Sequence, residues 1–213
     1  MENKKILIVS VHPDDETLGC GGTILKHLAN KESVTIMLVT DGNKKQLDAL
    51  INICDKHKIK LIRLGFPEID LCEVKLSKII TAFSNVFNSE KPELVYLPNR
   101  SDVHSDHRKT FEAAQACIKS FRYPFVKKIL MMEIISETDF SPPLPENVFI
   151  PNVFNDITNF FELKISMLKK FESELLDSVY TRSIDSLTSL NRYRGSQINV
   201  KYAESFMLIK EIL

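Results

Sequence analysis

The chain has 213 residues, of which 44% are hydrophobic and 26% charged, an ordinary composition for a globular protein. Lysine plus arginine equals aspartate plus glutamate at 28 each, so no basic excess exists to attract nucleic acid or an acidic membrane. We therefore expect a single domain over residues 1–213 whose partner is a small molecule. These bulk properties leave a homo-oligomer open.

The first two-thirds of the chain alternates apolar runs with longer amphipathic segments. The apolar runs are rich in Val, Ile and Leu, which is typical of buried parallel strands; they cover residues 4–11, 33–40, 59–65, 92–98 and 126–136. Helices are predicted between them, over residues 17–29, 44–57, 72–89 and 107–121. This order predicts an α/β fold with a Rossmann-like, open, mostly parallel sheet and helices on both of its faces.

The last third of the chain is predicted to form a helical or lid extension. Residues 141–151 contain four prolines and indicate a surface excursion, followed by a short edge strand and a helix from about Ile157. The polar segment 177–199 is either a lid over a site or a surface crossing, and its sequence does not choose. Residues 200–213 are predicted to close the chain as an amphipathic helix.

The cysteines and the N-terminus indicate a cytoplasmic protein. The four cysteines are scattered without a CxxC pair, which favours reduced thiols over disulfides. The apolar run near the N-terminus is too short for a signal peptide. No segment approaches the roughly 20 apolar residues that a membrane span needs.

A first polar cluster follows the first predicted strand. The stretch VSVHPDDETLGCGGTI places His12, Asp14, Asp15 and Glu16 directly after an apolar run. Three adjacent carboxylates repel one another, so water, a helix N-terminus or a cation must compensate them. Capping of the following helix alone would require one aspartate and no histidine.

A second polar cluster follows the fourth predicted strand. The stretch PNRSDVHSDHRKTFEAA supplies Asp102, His104, Asp106 and His107 before the next helix. Because ligands in open α/β sheets bind beyond the carboxyl ends of the strands, both clusters are expected at the same edge. This coincidence is the strongest functional signal in the sequence.

A divalent cation would resolve the repulsion between the carboxylates. His12, one aspartate of the first cluster and one histidine of the second would leave a tetrahedral Zn²⁺ with an open position for water. The second aspartate could then act as general base, and the second histidine could stabilise an oxyanion or protonate a leaving amine. The residues alone do not decide between Asp14 and Asp15.

Two other interpretations remain open at this point. A phosphoester hydrolase with two metals could use Glu16, Asp41 and Asp102 to bridge a second ion. A non-catalytic module that binds a sugar or a nucleotide would use the same strand ends. The glycine-rich segment 19–22 does not match the GxGxxG pattern, however, which disfavours nucleotide binding.

The two clusters resemble the motifs of the PIG-L/LmbE-like zinc deacetylases. The resemblance rests on VHPDDETLGCGGTI and DVHSDHR, and it extends weakly through residues 38–42, 64–70 and 191–206. It implies a zinc-dependent hydrolase that removes the N-acetyl group from an N-acetylated amino sugar conjugate of the N-acetylglucosamine type. It also implies one Zn²⁺ per chain, with Fe²⁺ as the alternative in vivo.

The resemblance further implies a role for each residue of the two motifs. The zinc ligands would be His12, Asp15 and His107; Asp14 would be the general base, His104 the oxyanion stabiliser or acid, and Asp106 a carboxylate that orients an imidazole. Arg192, Arg194 and Glu204 either line the substrate mouth or are solvated charges.

Overall fold

The computed structural model describes residues 3–213, and within them seven strands form one sheet. The strands are β1 (Lys5–Ser10), β2 (Ser33–Thr40), β3 (Lys60–Phe66), β4 (Leu94–Leu97), β5 (Lys128–Met132), β6 (Val153–Asp156) and β7 (Ala203–Glu211). Their order is β3-β2-β1-β4-β5-β7-β6. Strands β1 to β5 are parallel, and β7 runs antiparallel to both of its neighbours. The predicted Rossmann-like, mostly parallel α/β sheet is confirmed.

Six helices accompany the strands within the same described range. They are α1 (Asp15–Ala29), α2 (Lys44–His57), α3 (Leu76–Glu90), α4 (Ser105–Ala116), α5 (Phe161–Leu168) and α6 (Ile184–Ser196). The first four correspond to the four predicted helices. Helix α3 begins later than predicted because Asp70–Glu73 forms a separate 3₁₀ turn. Across residues 3–213, none of the helices has the length and apolar character needed to cross a membrane.

The sheet is covered by helices on both faces, which explains the continuous apolar runs. In β1, Ile6 and Ile8 face one core, shared with α1, α2, α5 and α6. The alternate residues Leu7 and Val9 face the other core, shared with α3 and α4. Since successive side chains of a strand point to opposite faces, both must be apolar here.

The prediction of a helix over residues 200–213 is wrong, because Ala203–Glu211 forms strand β7. It lies between β5 and β6, and its first residues, Ala203 to Phe206, are buried. The apolar cluster around Phe206 fits either a helix or a strand when read along the sequence. Hydrogen bonding to two neighbouring strands decides in favour of the strand, which is a tertiary effect that local propensity does not contain.

Helix α1 is broken at Cys20, whose backbone has φ −149° and ψ 24°. Around the break, one backbone carbonyl and two backbone N–H groups of α1 bond to side chains from outside the helix. The Lys164 Nζ donates to the Leu18 carbonyl at 2.9 Å, while the N–H groups of Gly22 and Thr23 donate to the Glu204 carboxylate at 2.8 and 2.7 Å. Lys164 and Glu204 also form a buried ion pair with each other, at 2.7 Å, which connects the contact before the break with those after it.

These contacts account for the glycines of α1 and for Glu204. A side chain at Gly22 would lie 2.7 Å from Ile157, so the glycine permits close packing of the helix rather than phosphate binding. Glu204 is 1% exposed, and it therefore neither lines a mouth nor is solvated. Arg194 instead pairs with Glu133 near the surface.

We expect Glu204→Gln to lower the free energy of unfolding by about 3 kcal/mol, because it leaves the Lys164 ammonium buried without a counter-charge. The measurement is urea unfolding followed by circular dichroism. The matched control is Asp48→Asn, which removes the exposed pair between Lys44 and Asp48 and should cost under about 0.5 kcal/mol. Equal effects of the two substitutions would contradict a supporting role for the buried pair.

Candidate metal centre

The two predicted polar clusters lie side by side at the carboxyl edge of the sheet. Strands β1 and β4 are neighbours, and the chain changes direction across the sheet between them. His12 and Asp15 follow β1, whereas His107 lies in the first turn of α4 after β4. This crevice is the place where open α/β sheets bind their ligands.

The turn after β1 is fixed by its own carboxylates. The Asp15 carboxylate accepts hydrogen bonds from the backbone N–H groups of Val11 and His12, at 3.1 and 2.8 Å. Glu16 is fully buried and accepts from the hydroxyls of Ser10 and Thr17, at 2.9 and 2.6 Å. Both carboxylates are thereby held in one orientation.

His12, Asp15 and His107 together could hold a metal ion. One potential ligand atom from each lies within 4.8 Å of the other two. The Asp15 Oδ2 atom is 3.3 Å from His107 Nε2 and 3.7 Å from His12 Nδ1. His107 Nε2 is buried and has no hydrogen-bond partner among residues 3–213. A buried nitrogen that faces a carboxylate and an imidazole fits a cation between them.

His107 is oriented by Asp102, a residue that the sequence offered only as a bridge for a second ion. The Asp102 Oδ2 atom lies 2.8 Å from His107 Nδ1, and its Oδ1 accepts from the Thr138 hydroxyl at 2.8 Å. If His107 donates through Nδ1, its Nε2 presents a lone pair toward Asp15. Sequence alone gave no signal for Thr138, which comes from beyond β5.

Asp106 contacts His12 rather than His107. Its Oδ2 atom is 3.3 Å from His12 Nε2 and accepts from the Ile69 backbone N–H at 2.9 Å. The imidazole that Asp106 contacts is therefore the histidine of the first cluster.

His104 borders the same space and is half-buried. Its Nδ1 accepts from the backbone N–H of Asp106 at 3.2 Å, which caps α4. The ring centroid lies 4.6 Å from that of His12 and 5.7 Å from that of His107. Burial, together with the neighbouring His12 and His107, lowers the pKa of His104. His12, His104 and Asp106 form a second group with metal-ligand spacing.

Asp15 and His107 each stabilise the charged form of the other. Burial raises the pKa of Asp15, but the imidazoles of His107 and His12 outweigh it and hold this pKa below its ordinary value. Burial lowers the pKa of His107, but Asp15 and Asp102 outweigh it and raise this pKa well above the ordinary value. A metal ion bound here would replace the imidazole proton, so binding would release protons.

Asp14 lies beside this group and is held by Arg182, which the sequence did not single out. Arg182 Nη1 donates to Asp14 Oδ2 at 3.3 Å. Burial and then the charge of Asp15 raise the pKa of Asp14 well above its ordinary value, while Arg182 opposes this rise. Arg182 belongs to the polar segment 177–199, whose first part therefore borders the site and whose second part forms α6.

The residues suggested as ligands of a second ion are engaged elsewhere. Glu16 is bonded to two hydroxyls, and Asp102 to His107 and Thr138, as described above. Asp41 forms a bidentate pair with Arg63 on the surface, at 2.7 and 3.0 Å. Within residues 3–213, the two groups with metal-ligand spacing both contain His12. A two-metal phosphoester hydrolase therefore finds no support in this geometry.

Comparison with known proteins links this arrangement to a family of deacetylases. The family model described as PIG-L, GlcNAc-PI de-N-acetylase, matches residues 7–118, which include both clusters. The diacetylchitobiose deacetylase of Thermococcus kodakarensis is 24% identical over 232 residues, covering 98% of this chain and 84% of that protein.

Solved structures show the same fold at low sequence identity. The N,N'-diacetylchitobiose deacetylase of Pyrococcus horikoshii has a TM-score of 0.78 at 20% identity, covering 98% of this chain and 85% of that one. GalB, the 4-carboxy-2-hydroxymuconate hydratase of Pseudomonas putida KT2440, has a TM-score of 0.77 at 16% identity, covering 99% and 98%. Because a hydratase shares the fold, the fold alone does not specify the reaction.

We expect Asp102→Ala to weaken binding of a divalent metal ion by about 10- to 100-fold, because His107 loses the acceptor that fixes its orientation. Competition with a chromophoric chelator measures this affinity. Asp41→Ala, which removes a surface carboxylate after the neighbouring strand, should leave it unchanged. An unaltered affinity in Asp102→Ala would show that His107 needs no such support.

Proposed function

This chain belongs to the GlcNAc-PI de-N-acetylase (PIG-L) family, and on that premise we propose that it hydrolyses the N-acetyl group of an N-acetylglucosamine-type conjugate. It is thus a hydrolytic N-deacetylase. The observation that carries the proposal is the convergence of His12 and His107, from the ends of two adjacent strands, on the single carboxylate of Asp15.

The proposed cofactor is one Zn²⁺ held by His12, Asp15 and His107. Two imidazoles and one carboxylate form the ligand set of open catalytic zinc sites, although the same set also suits Fe²⁺. Such an ion, when bound, would lower the pKa of its bound water to about 7 and polarise the substrate carbonyl.

Asp14 is the proposed general base. Its carboxylate is 2% exposed, adjoins the proposed ligand Asp15 and is oriented by Arg182. In its ionised form, a carboxylate at this position can take the proton of the attacking water and pass it on.

His104 is the proposed stabiliser of the oxyanion. Because its Nδ1 accepts the backbone N–H of Asp106, the neutral ring carries its hydrogen on Nε2. This Nε2–H can donate to the developing oxyanion and can assist protonation of the leaving amine. Asp106 and Asp102 act as positioning residues, through His12 and His107 respectively.

We expect Asp14→Asn to lower kcat by about 10²- to 10⁴-fold, because an amide cannot accept the proton of the attacking water. Zn²⁺ content should remain near one ion per chain, since Asp14 is not a proposed ligand. The measurements are release of free primary amine from N-acetylated sugars and metal analysis of the purified protein.

The control for this substitution is Asp55→Asn on the exposed face of α2, which should leave kcat unchanged. Turnover by Asp14→Asn at the rate of the unaltered protein would refute the assignment of the base. His107→Ala, in contrast, should lose both the metal and the activity.

A further inference from the structure

A cavity of about 470 Å³, within the size range of small-molecule sites, is lined by Arg182, the residue that contacts Asp14. It lies between the segment after β5 and the segment before α6. Its lining combines two carboxylates, one guanidinium, several hydroxyls and two aromatic rings; the charged and aromatic members are Glu137, Glu174, Arg182, Phe140 and Tyr180.

Arg182 connects the cavity to the proposed base. Its guanidinium lies 3.3 Å from Asp14 Oδ2, 3.1 Å from Glu137 Oε1 and 3.4 Å from Glu174 Oε2. A group bound in the cavity is therefore separated from Asp14 by a single side chain. A cavity in this position suits the part of a substrate that lies next to the acetylated sugar.

The two aromatic rings favour a sugar-like occupant. Phe140 is 57% exposed and Tyr180 54% exposed, although aromatic side chains of this size are normally mostly buried. Exposed rings at the rim of a cavity offer flat apolar surface for packing against the C–H face of a sugar ring, and Tyr180 adds a hydroxyl.

The carboxylates favour an occupant with hydroxyl groups. Glu137 is 8% exposed, and its Oε2 is buried without a hydrogen-bond partner in the described chain. A buried acceptor of this kind calls for a donor, which a hydroxyl-bearing ligand or water can supply. Glu174, at the other side of Arg182, offers a second acceptor.

The charge of the lining disfavours a phosphate. Of the residues in the described range that line the cavity, Arg182 is the single cation, and it already contacts three carboxylates. No positive charge is left to neutralise an anionic ligand, while Glu137 and Glu174 would repel one.

We propose that this cavity is the subsite for the aglycone, meaning the part of the substrate beyond the acetylated sugar. The aglycone that fits it is an uncharged, hydroxyl-rich ring such as a second sugar, rather than a phosphate-linked group. This inference rests on the proposed deacetylase function and narrows its substrate class.

The test compares amine release from N-acetylglucosamine, its 1-phosphate and N,N'-diacetylchitobiose by the Zn²⁺-loaded protein. We expect kcat/KM to be highest for the neutral disaccharide and lowest for the phosphate. Tyr180→Ala should raise KM for the disaccharide by about tenfold and leave the constants for the monosaccharide within about twofold. Tyr193→Ala, which removes a tyrosine of similar exposure outside the cavity, should alter neither substrate.

Three results would overturn the subsite while leaving the deacetylase function intact. They are equal kcat/KM for the monosaccharide and the disaccharide, an equal effect of Tyr180→Ala on both, and a preference for the phosphate. If no substrate releases amine, the proposed function fails, and saturation-transfer NMR with the disaccharide decides the subsite. Binding that Tyr180→Ala abolishes and Tyr193→Ala retains supports the cavity, whereas no binding refutes it.

Discussion

The buried ion pair between Lys164 and Glu204 supports helix α1, which begins at the proposed metal ligand Asp15. It bonds to backbone groups of α1 on both sides of the break near Cys20, with Lys164 donating to Leu18 and Glu204 accepting from Gly22 and Thr23. The first turn of that helix carries Asp15, whose carboxylate is then oriented by the backbone N–H groups of Val11 and His12. Residues of α5 and β7, which lie outside the metal group, therefore support the helix on which that group begins.

The crowding of acids at the start of α1 is resolved by giving each carboxylate a different kind of partner. Asp15 faces backbone N–H groups and two imidazoles, Glu16 faces hydroxyls, and Asp14 faces the guanidinium of Arg182. Burial and the charge of Asp15 raise the pKa of Asp14, whereas the imidazoles of His107 and His12 hold the pKa of Asp15 below its ordinary value despite burial. One carboxylate is thus stabilised as an anion for a cation, and its neighbour is suited to carry a proton.

Features that depend on which strands are neighbours could be predicted from the sequence. Features that depend on where individual side chains point could not. The proximity of His12 and His107 followed from two strand ends at one edge, and the parallel strands followed from their apolar runs. Strand β7 was missed because the pattern around Phe206 fits two periods. Asp102 and Asp106 could not be distinguished by spacing alone. Arg182 carried no motif, since its role arises from where a polar segment folds back.

The backbone of Asp14, with φ 130° and ψ −28°, is a conformation that side-chain-bearing residues rarely adopt and that costs about 1–3 kcal/mol. Glycine would be the relaxed residue at this position. Stability and activity therefore favour different residues at this position. Replacing Asp14 by glycine would raise the free energy of unfolding and remove the proposed base. The strained backbone therefore places a stability cost at the residue that carries the proposed base.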